Sequence, residues 1–274
     1  MNLYKLILHD IRNGLFRKQY FFVLPIIAIP CIVHLGICNQ LNLHGGWIDY
    51  MMYCFRGMEI ILSADSISHF QLPIIWLLVM IGGLFLNLEY PLRDLSNFGL
   101  QVMIRSNSRH IWYLSKCCWN TMSCSLYILL TCLVCLFFTI ITGGSVTVQI
   151  NSNLTTSTFA LASNVDLCEV KALLITVLCP AFNLCALSQI QMLLGFVSKP
   201  ILGFISSIGL LILSVYWSSP FAIGSGAMII RSSYLVRGGV NPMQSIIAAT
   251  IVIIVCAIVG SVYFRRKDIL GSCE

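Results

Sequence analysis

Long apolar runs alternate with short polar segments along the whole chain. Six of these runs contain no Asp, Glu, Lys or Arg. A helix needs about 20 predominantly apolar residues to cross the hydrocarbon core of a bilayer, so each run predicts a transmembrane helix. Strands of a membrane barrel alternate in hydrophobicity over roughly ten residues, which these continuous runs do not. The predicted spans lie near residues 20–38, 72–88, 117–142, 172–198, 200–218 and 243–264.

The N-terminal segment, residues 1–18, has a helical period instead of a continuous apolar run. Its apolar positions recur every fourth residue, and polar positions fall opposite them. This pattern is typical of an amphipathic helix that lies in the membrane surface. A solvated lead-in to the first span is the alternative. The apolar set is Leu3, Ile7, Ile11 and Leu15, and the polar set is Lys5, His9, Arg12 and Asn13.

The amino-acid composition also indicates an integral membrane protein. The chain has 274 residues, of which 58% are hydrophobic and only 9% are charged, and its mean hydropathy is +0.90. Soluble domains are about 25% charged. We therefore predict an all-α integral membrane protein whose single transmembrane domain covers residues 1–274. The net charge of +6 is interpreted relative to the bilayer and not as a sign of nucleic-acid binding.

The distribution of Lys and Arg predicts the orientation. Loops on the cytoplasmic side carry the excess of these residues. If the N-terminus is cytoplasmic, twelve cations lie inside and four outside, so both termini are expected in the cytoplasm. The inner set is Lys5, Arg12, Arg17, Lys18, Arg93, Arg105, Arg109, Lys116, Lys199, Arg265, Arg266 and Lys267, and the outer set is Arg56, Lys171, Arg231 and Arg237.

The spans lack the residues of several functional classes. Their one titratable acid or base is His34, whereas ion-coupled carriers usually keep intramembrane carboxylates. The sequence contains no HExxH metal motif, no GxSxG elbow and no GxxxxGK[ST] phosphate loop. We predict no catalytic residue, metal or cofactor in this chain, and any energy source must lie on another polypeptide.

Thirteen cysteines are present, and most lie inside predicted spans. There they are expected to pack as small apolar residues. Cys132 and Cys135 have the spacing of a redox motif, but they lie among apolar residues in the middle of a span. Cys54 and Cys168 are predicted outside the membrane, and the sequence leaves open whether they pair. Residues 39–71, which include Cys54, predict an apolar helix on the outer surface.

Charge is concentrated between the second and third spans, in residues 89–116. Pro91 suits the first turn of a short helix. Small polar residues after Arg105 predict a break, and a second helix then leads into the third span with Trp112 and Tyr113 at headgroup level. Twenty-eight residues is long for a simple connector, so a cytoplasmic lever helix is predicted. A positively charged loop that only sets topology is the alternative.

At this point the chain resembles a known family, the membrane permease subunits of type 2 ATP-binding-cassette exporters. The likeness covers nearly the whole chain. It consists of the amphipathic start, six spans, Glu89 at the end of the second span, the basic lever segment up to Lys116, a tight hairpin between the fourth and fifth spans, and a basic end at residues 264–270. In length and in its overall pattern of apolar and polar segments, the chain is similar to bacterial permeases of bacteriocin or lantibiotic immunity and peptide export.

The resemblance implies a mechanism and partners. Two permease subunits, identical or paralogous, would join two cytoplasmic ATPase subunits in the plasma membrane, with ATP and Mg²⁺ on the ATPases. The cargo would be a peptide or another amphipathic compound. Short re-entrant helices would lie in the outer segment 219–242. The coupling segment that docks on the ATPase would comprise Glu89, Arg93, Asp94, Asn97, Phe98, Leu100, Met103 and Arg105.

Few polar residues are available to line a path. Asn120, Asn183, Gln189 and Gln191 lie in or near the spans, and each must either pair across helices or face a cavity. Gly203 with Ser207, and Cys256 with Gly260, mark faces of close helix approach, either within the chain or at a dimer seam. The alternatives to a permease are an ATP-independent transporter or channel and a membrane sensor or scaffold.

Overall fold

The chain folds into a helical bundle. The structure is a computed structural model, and it describes residues 3–15, 19–60, 72–95, 99, 109–150, 154 and 167–266. Within these ranges all regular structure is helical and no β-strand occurs. The helices are α1 Leu3–Asp10, α2 Gln19–Leu41, α3 Trp47–Cys54, α4 Ile74–Leu86, α5 Tyr90–Asp94, α6 Arg109–Ile141, α7 Glu169–Val197, α8 Pro200–Tyr216 and α9 Pro242–Arg266.

Five stretches of the described chain are long and apolar enough to cross a membrane: α2, α4 with α5, α6, α7 and α9. The predicted all-helical, membrane-embedded class is confirmed to this extent. The fifth predicted span corresponds to α8, which is apolar but has only 17 residues. At 1.5 Å per residue its length is about 25 Å, slightly less than a typical hydrocarbon core.

Helix α7 is the centre of the bundle and packs against α4, α6, α8 and α9. A π-helical turn, Leu174–Leu178, precedes Pro180 in this helix. By contrast, α9 exposes Ile247, Ile251 and Ile258 on one face. Apolar groups on the outer face and polar groups on a central helix are the arrangement expected in lipid, where exposed polar groups would lose their hydrogen bonds.

Helix α3 corrects one expectation. It does not lie on an outer surface but is enclosed by α2, α4 and α6, with Tyr50, Met51 and Met52 fully buried. Cys54 at its end is also buried, whereas Cys168 is exposed, and both are free thiols. The open possibility of a bond between these two cysteines is thereby removed. Hydropathy did not distinguish a helix against lipid from a helix against protein, because both require apolar side chains.

The N-terminal helix is present, but a different face packs on the bundle. Leu6, Asp10 and Gly14 are buried, and α1 contacts α6. Leu3, which sequence periodicity grouped with the apolar side, is exposed by 38%, and Leu8, also apolar, is exposed by 47%. The inward face is therefore small and polar at its centre, and it forms part of the site described next.

Candidate functional site

Three separate segments meet at one buried ammonium group. Lys116, in the second turn of α6, has 1% of its side chain exposed. Its Nζ lies 2.7 Å from Oδ2 of Asp94 in α5 and also forms an ion pair with Oδ1 of Asp10 in α1. We call these three residues the acid–lysine junction. It joins the N-terminal helix, the segment after α4 and the beginning of α6.

Neighbouring donors complete the coordination of both carboxylates. Tyr90 Oη donates to Oδ1 of Asp10 over 2.9 Å, and Ser115 Oγ donates to Oδ2 of Asp10 over 3.0 Å. The indole Nε1 of Trp112 donates to Oδ2 of Asp94 over 3.1 Å. A buried ion pair is tolerable when further hydrogen bonds satisfy its remaining lone pairs, and the junction meets that condition.

Helical spacing brings these groups together. Trp112, Ser115 and Lys116 are three and four residues apart and therefore share one face of α6. Tyr90 and Asp94 are four apart in the same way. The ammonium lies 5.1 Å from the ring centre of Tyr90 and 5.3 Å from that of Trp112, which adds cation–π attraction.

Two glycines allow the backbone to approach this site. A Cβ on Gly14 would lie 2.3 Å from Nε1 of Trp119, so the N-terminal segment can lie against α6 only without a side chain there. A Cβ on Gly99 would lie 2.8 Å from Nε1 of Trp112. Gly99 therefore lies close beside the junction.

The junction also contacts the rest of the bundle through Trp112. Its ring centre is 5.7 Å from that of Phe196 in α7 and 5.5 Å from that of Phe264 in α9. Tyr113 stacks on Phe264 at 5.2 Å and donates a hydrogen bond to the carbonyl of Cys256. A displacement at the junction would thus reach α6, α7 and α9 together.

The junction is not an empty cation site, although His9, Asp10 and Asp94 bring ligand atoms within 4.8 Å of one another. The Lys116 ammonium already contacts both carboxylates. With both acids ionised, the three junction residues carry one net negative charge. His9 Nδ1 lies 3.8 Å from Oδ1 of Asp10, at the edge of the junction.

The predicted coupling residues divide into three groups. Asp94 lies in the junction and is turned into the chain, so its side chain does not form a docking surface. Glu89 and Arg93 are exposed, and Glu89 accepts a hydrogen bond of 3.1 Å from Gln19. The others lie outside the described residues; they are Asn97, Phe98, Leu100, Met103 and Arg105.

Sequence reasoning missed Asp10. The helical period of residues 1–18 defined an apolar set and a polar set of positions, and Asp10 was assigned to neither. One signal was available, since Asp10 is the only acid before residue 49 in the chain. A single carboxylate in a basic N-terminal segment has a cation or several donors as its natural partner, and here it has both.

The predicted path residues all lie inside the bundle. Asn120 accepts from Ser188 Oγ over 2.7 Å, and Ser188 accepts from Asn87 Nδ2 over 2.8 Å, which links α4, α6 and α7. Gln189 donates to the carbonyl of Cys117 over 2.9 Å, and Gln191 donates to that of Leu84 over 3.0 Å. Each of these side chains therefore ties two helices together.

Asn183 has a similar role near the middle of α7. Its Nδ2 donates to Ser245 Oγ of α9 over 3.1 Å, and its Oδ1 accepts from the backbone N–H of Gly224 over 3.0 Å. Within the described chain, one amide atom of each of Asn120, Gln189 and Gln191 has no hydrogen-bond partner. These amides retain hydrogen-bonding capacity in this arrangement.

Arg231 holds the segment after α8. Two 3₁₀ turns, Ser225–Ala227 and Ile229–Arg231, occupy the place where re-entrant helices are predicted. The fully buried guanidinium donates to the carbonyls of Ser214 and Val215 at the end of α8, and to that of Met58. Burial lowers the pKa of Arg231 to about 10, so the group remains charged at neutral pH. A cation at a helix C-terminus is favourable.

Fold and site together define a helical membrane-embedded protein in which buried charges join the N-terminal helix to α5 and α6. The chain belongs to the family described as "Protein of unknown function (DUF2705)", which matches residues 27–270. No curated protein matches the chain significantly. No solved structure does so either.

Proposed function

We propose that this protein is the membrane-spanning permease subunit of a type 2 ATP-binding-cassette exporter. The observation that carries the proposal is the acid–lysine junction. It fixes the segment after α4, which the resemblance implies to be the coupling segment, to both the N-terminal helix and α6. A subunit without its own phosphate loop has to receive force at such a place.

The junction suits force transmission for an electrostatic reason. Ion pairs resist separation more strongly in a low-dielectric interior than in water. Asp94 is the last residue of α5, so a push on α5 acts directly on Lys116 and Asp10. Through Trp112 the same movement reaches Phe196 of α7 and Phe264 of α9. In this proposal the exposed side chains of Glu89 and Arg93 form part of the surface that contacts the ATPase.

In this proposal the chain has six spans, with α8 as the fifth, and both termini are cytoplasmic. The tight α7–α8 turn at Lys199 is on the same side as the junction, because α7 brings Phe196 to Trp112 just before its end. The N-terminal helix then lies at the cytoplasmic membrane surface, with Leu3 and Leu8 toward lipid.

The proposed path follows α7. Asn120, Gln189 and Gln191 each keep an unused amide atom within the described chain, so these groups can bind a passing polar group when the helices separate. The mostly apolar lining suits an amphipathic peptide or a similar compound better than a small ion. The complex would contain two ATPase subunits that hold ATP and Mg²⁺, and a second permease copy or paralogue. This chain itself performs no hydrolysis.

A position-specific crosslink tests the proposal. A photoreactive amino acid in place of Arg93 should capture a soluble protein with a phosphate loop, identified by mass spectrometry, because Arg93 is exposed beside the junction. The matched control replaces Arg237, which is also exposed but lies between α8 and α9. Capture from both positions alike, or from neither, would contradict the proposal.

A further inference from the structure

Three buried cysteines from distant parts of the chain converge away from the acid–lysine junction. Cys31 of α2, Cys54 of α3 and Cys135 of α6 each have no exposed surface. The Sγ of Cys135 lies 3.8 Å from that of Cys31 and 3.9 Å from that of Cys54. All three sulfur atoms lie within 4.8 Å of one another. We call this group the thiol triad.

The spacing of the triad matches a metal centre with three sulfur ligands. At a metal–sulfur distance of about 2.3 Å, three sulfurs arranged trigonally around one ion are separated by about 4.0 Å. The two distances of 3.8 and 3.9 Å are close to that value. Little movement of α2, α3 or α6 would be needed to close the site around an ion.

The ligand set selects the class of ion. Sulfur ligands favour soft ions such as Cu(I) over Mg²⁺ or Ca²⁺, which prefer oxygen. Zn²⁺ in proteins is almost always four-coordinate. Among the described His, Cys, Asp and Glu side chains, only these three cysteines group at this place. A three-coordinate soft monovalent ion is the better fit.

Binding at the triad is coupled to the loss of protons. Cysteine ligates metals as the thiolate, so one Cu(I) bound by the three side chains displaces their thiol protons to solvent. The ion remains Cu(I), and no electron is transferred in this step. We propose that the thiol triad is a binding site for one Cu(I) ion.

Binding of Cu(I) to the thiol triad would affect the segment Ile229–Arg231, which packs over this end of the bundle. The chain that follows Cys54 is hydrogen-bonded to that segment, since Ile229 N–H donates to Phe55 O over 3.0 Å and Ile230 N–H donates to Arg56 O over 3.2 Å. An ion on Cys54 would fasten α3 to α2 and α6. Through the hydrogen bonds to Phe55 and Arg56, the segment Ile229–Arg231 would be held in place together with α3.

Titration of the purified protein with Cu(I) tests the site. The ion is supplied as its bicinchoninate complex under reducing conditions, and transfer is read from the loss of chelator absorbance. The wild type should take up one tightly held ion per chain. Cys54→Ala and Cys135→Ala should each lose more affinity than the roughly 10–100-fold that changes outside the ligand shell cost. Cys179→Ala is the matched control, a buried cysteine in α7, and should bind as the wild type does.

X-ray absorption of the loaded wild type gives a second readout that needs no variant. Three sulfur neighbours at about 2.3 Å are expected. Two-coordinate copper, nitrogen or oxygen neighbours, or unchanged binding by Cys54→Ala would overturn the proposal. Zn²⁺ that binds more tightly than Cu(I) under the same competition would overturn the choice of ion.

Discussion

Lys116 illustrates how a single residue can have one meaning in the sequence and another in the fold. In the sequence it is one of twelve cations that indicate the inner side. In the structure it forms ion pairs with two carboxylates that would otherwise be buried close together without a cation. Isolated charges cost several kcal/mol to bury, and the loss of one partner leaves that cost uncompensated. The stability of this end of the bundle therefore depends on it.

Replacement of Lys116 by Met should destabilise the protein strongly. The variant keeps the length of the side chain but leaves Asp10 and Asp94 without their cation. A loss of about 3–5 kcal/mol is expected from the removal of one member of a buried pair. The measurement is the melting temperature of the purified protein in mild detergent, together with its yield.

Two further variants make this test specific. Lys5→Met removes an exposed cation from α1 and should leave the melting temperature nearly unchanged. Addition of Asp10→Asn and Asp94→Asn to Lys116→Met should restore part of the stability, because neutral groups replace the whole ionic set. A Lys116→Met protein that melts with the Lys5→Met control would contradict the role of the junction.

At the scale of elements, the α7–α8 hairpin shows why certain small residues are required. A Cβ on Gly203 would lie 2.4 Å from the carbonyl oxygen of Gln191 and 2.8 Å from the backbone N of Gly195. One turn later, Ser207 Oγ is 3.4 Å from the carbonyl of Leu187. This face of α8 therefore packs inside the chain and is not the dimer seam that sequence left open.

Gly203→Ala should push α8 away from α7. The clash is with backbone atoms, which cannot rotate aside, so a loss of about 1–3 kcal/mol is expected from overpacking. Gly209→Ala is the matched control in the same helix, since a Cβ there has nothing within 4 Å. It should be neutral or should stabilise the helix by about 0.5–1 kcal/mol. Equal melting temperatures for the two variants would show that the hairpin is looser than described.

Sequence predicted the elements well where the bilayer dictates them. Five predicted spans lie within or overlap described helices that are long and apolar enough to cross, because long uncharged runs have few other stable environments. Helix α6, which is described from Arg109, unites the second helix predicted after Arg105 with the third predicted span. Features that depend on neighbouring helices could not be predicted in the same way. Helix α3 is enclosed, and the N-terminal segment packs through Asp10 and Gly14, because only tertiary contacts decide which face is buried.

At the scale of the whole molecule, the orientation is a prediction that labelling can test. Lys199 and Arg237 are exposed and lie at opposite ends of the α8 region. In a background with the exposed thiols Cys118 and Cys168 and the C-terminal Cys273 changed to Ser, Lys199→Cys should react with an impermeant maleimide only after cells are opened. Arg237→Cys should react in intact cells. The reverse pattern would invert the chain and move the junction to the outer side.

The central claim is that this protein works as a permease with a separate ATPase, and co-purification tests it most directly. The tagged full chain is extracted from its native host in a gentle detergent, and its partners are identified and quantified. The account predicts a soluble ATPase with a phosphate loop in near-equal amount, together with a second permease chain or a second copy of this one. A protein that emerges alone, and remains alone in lipid nanodiscs, would contradict the account.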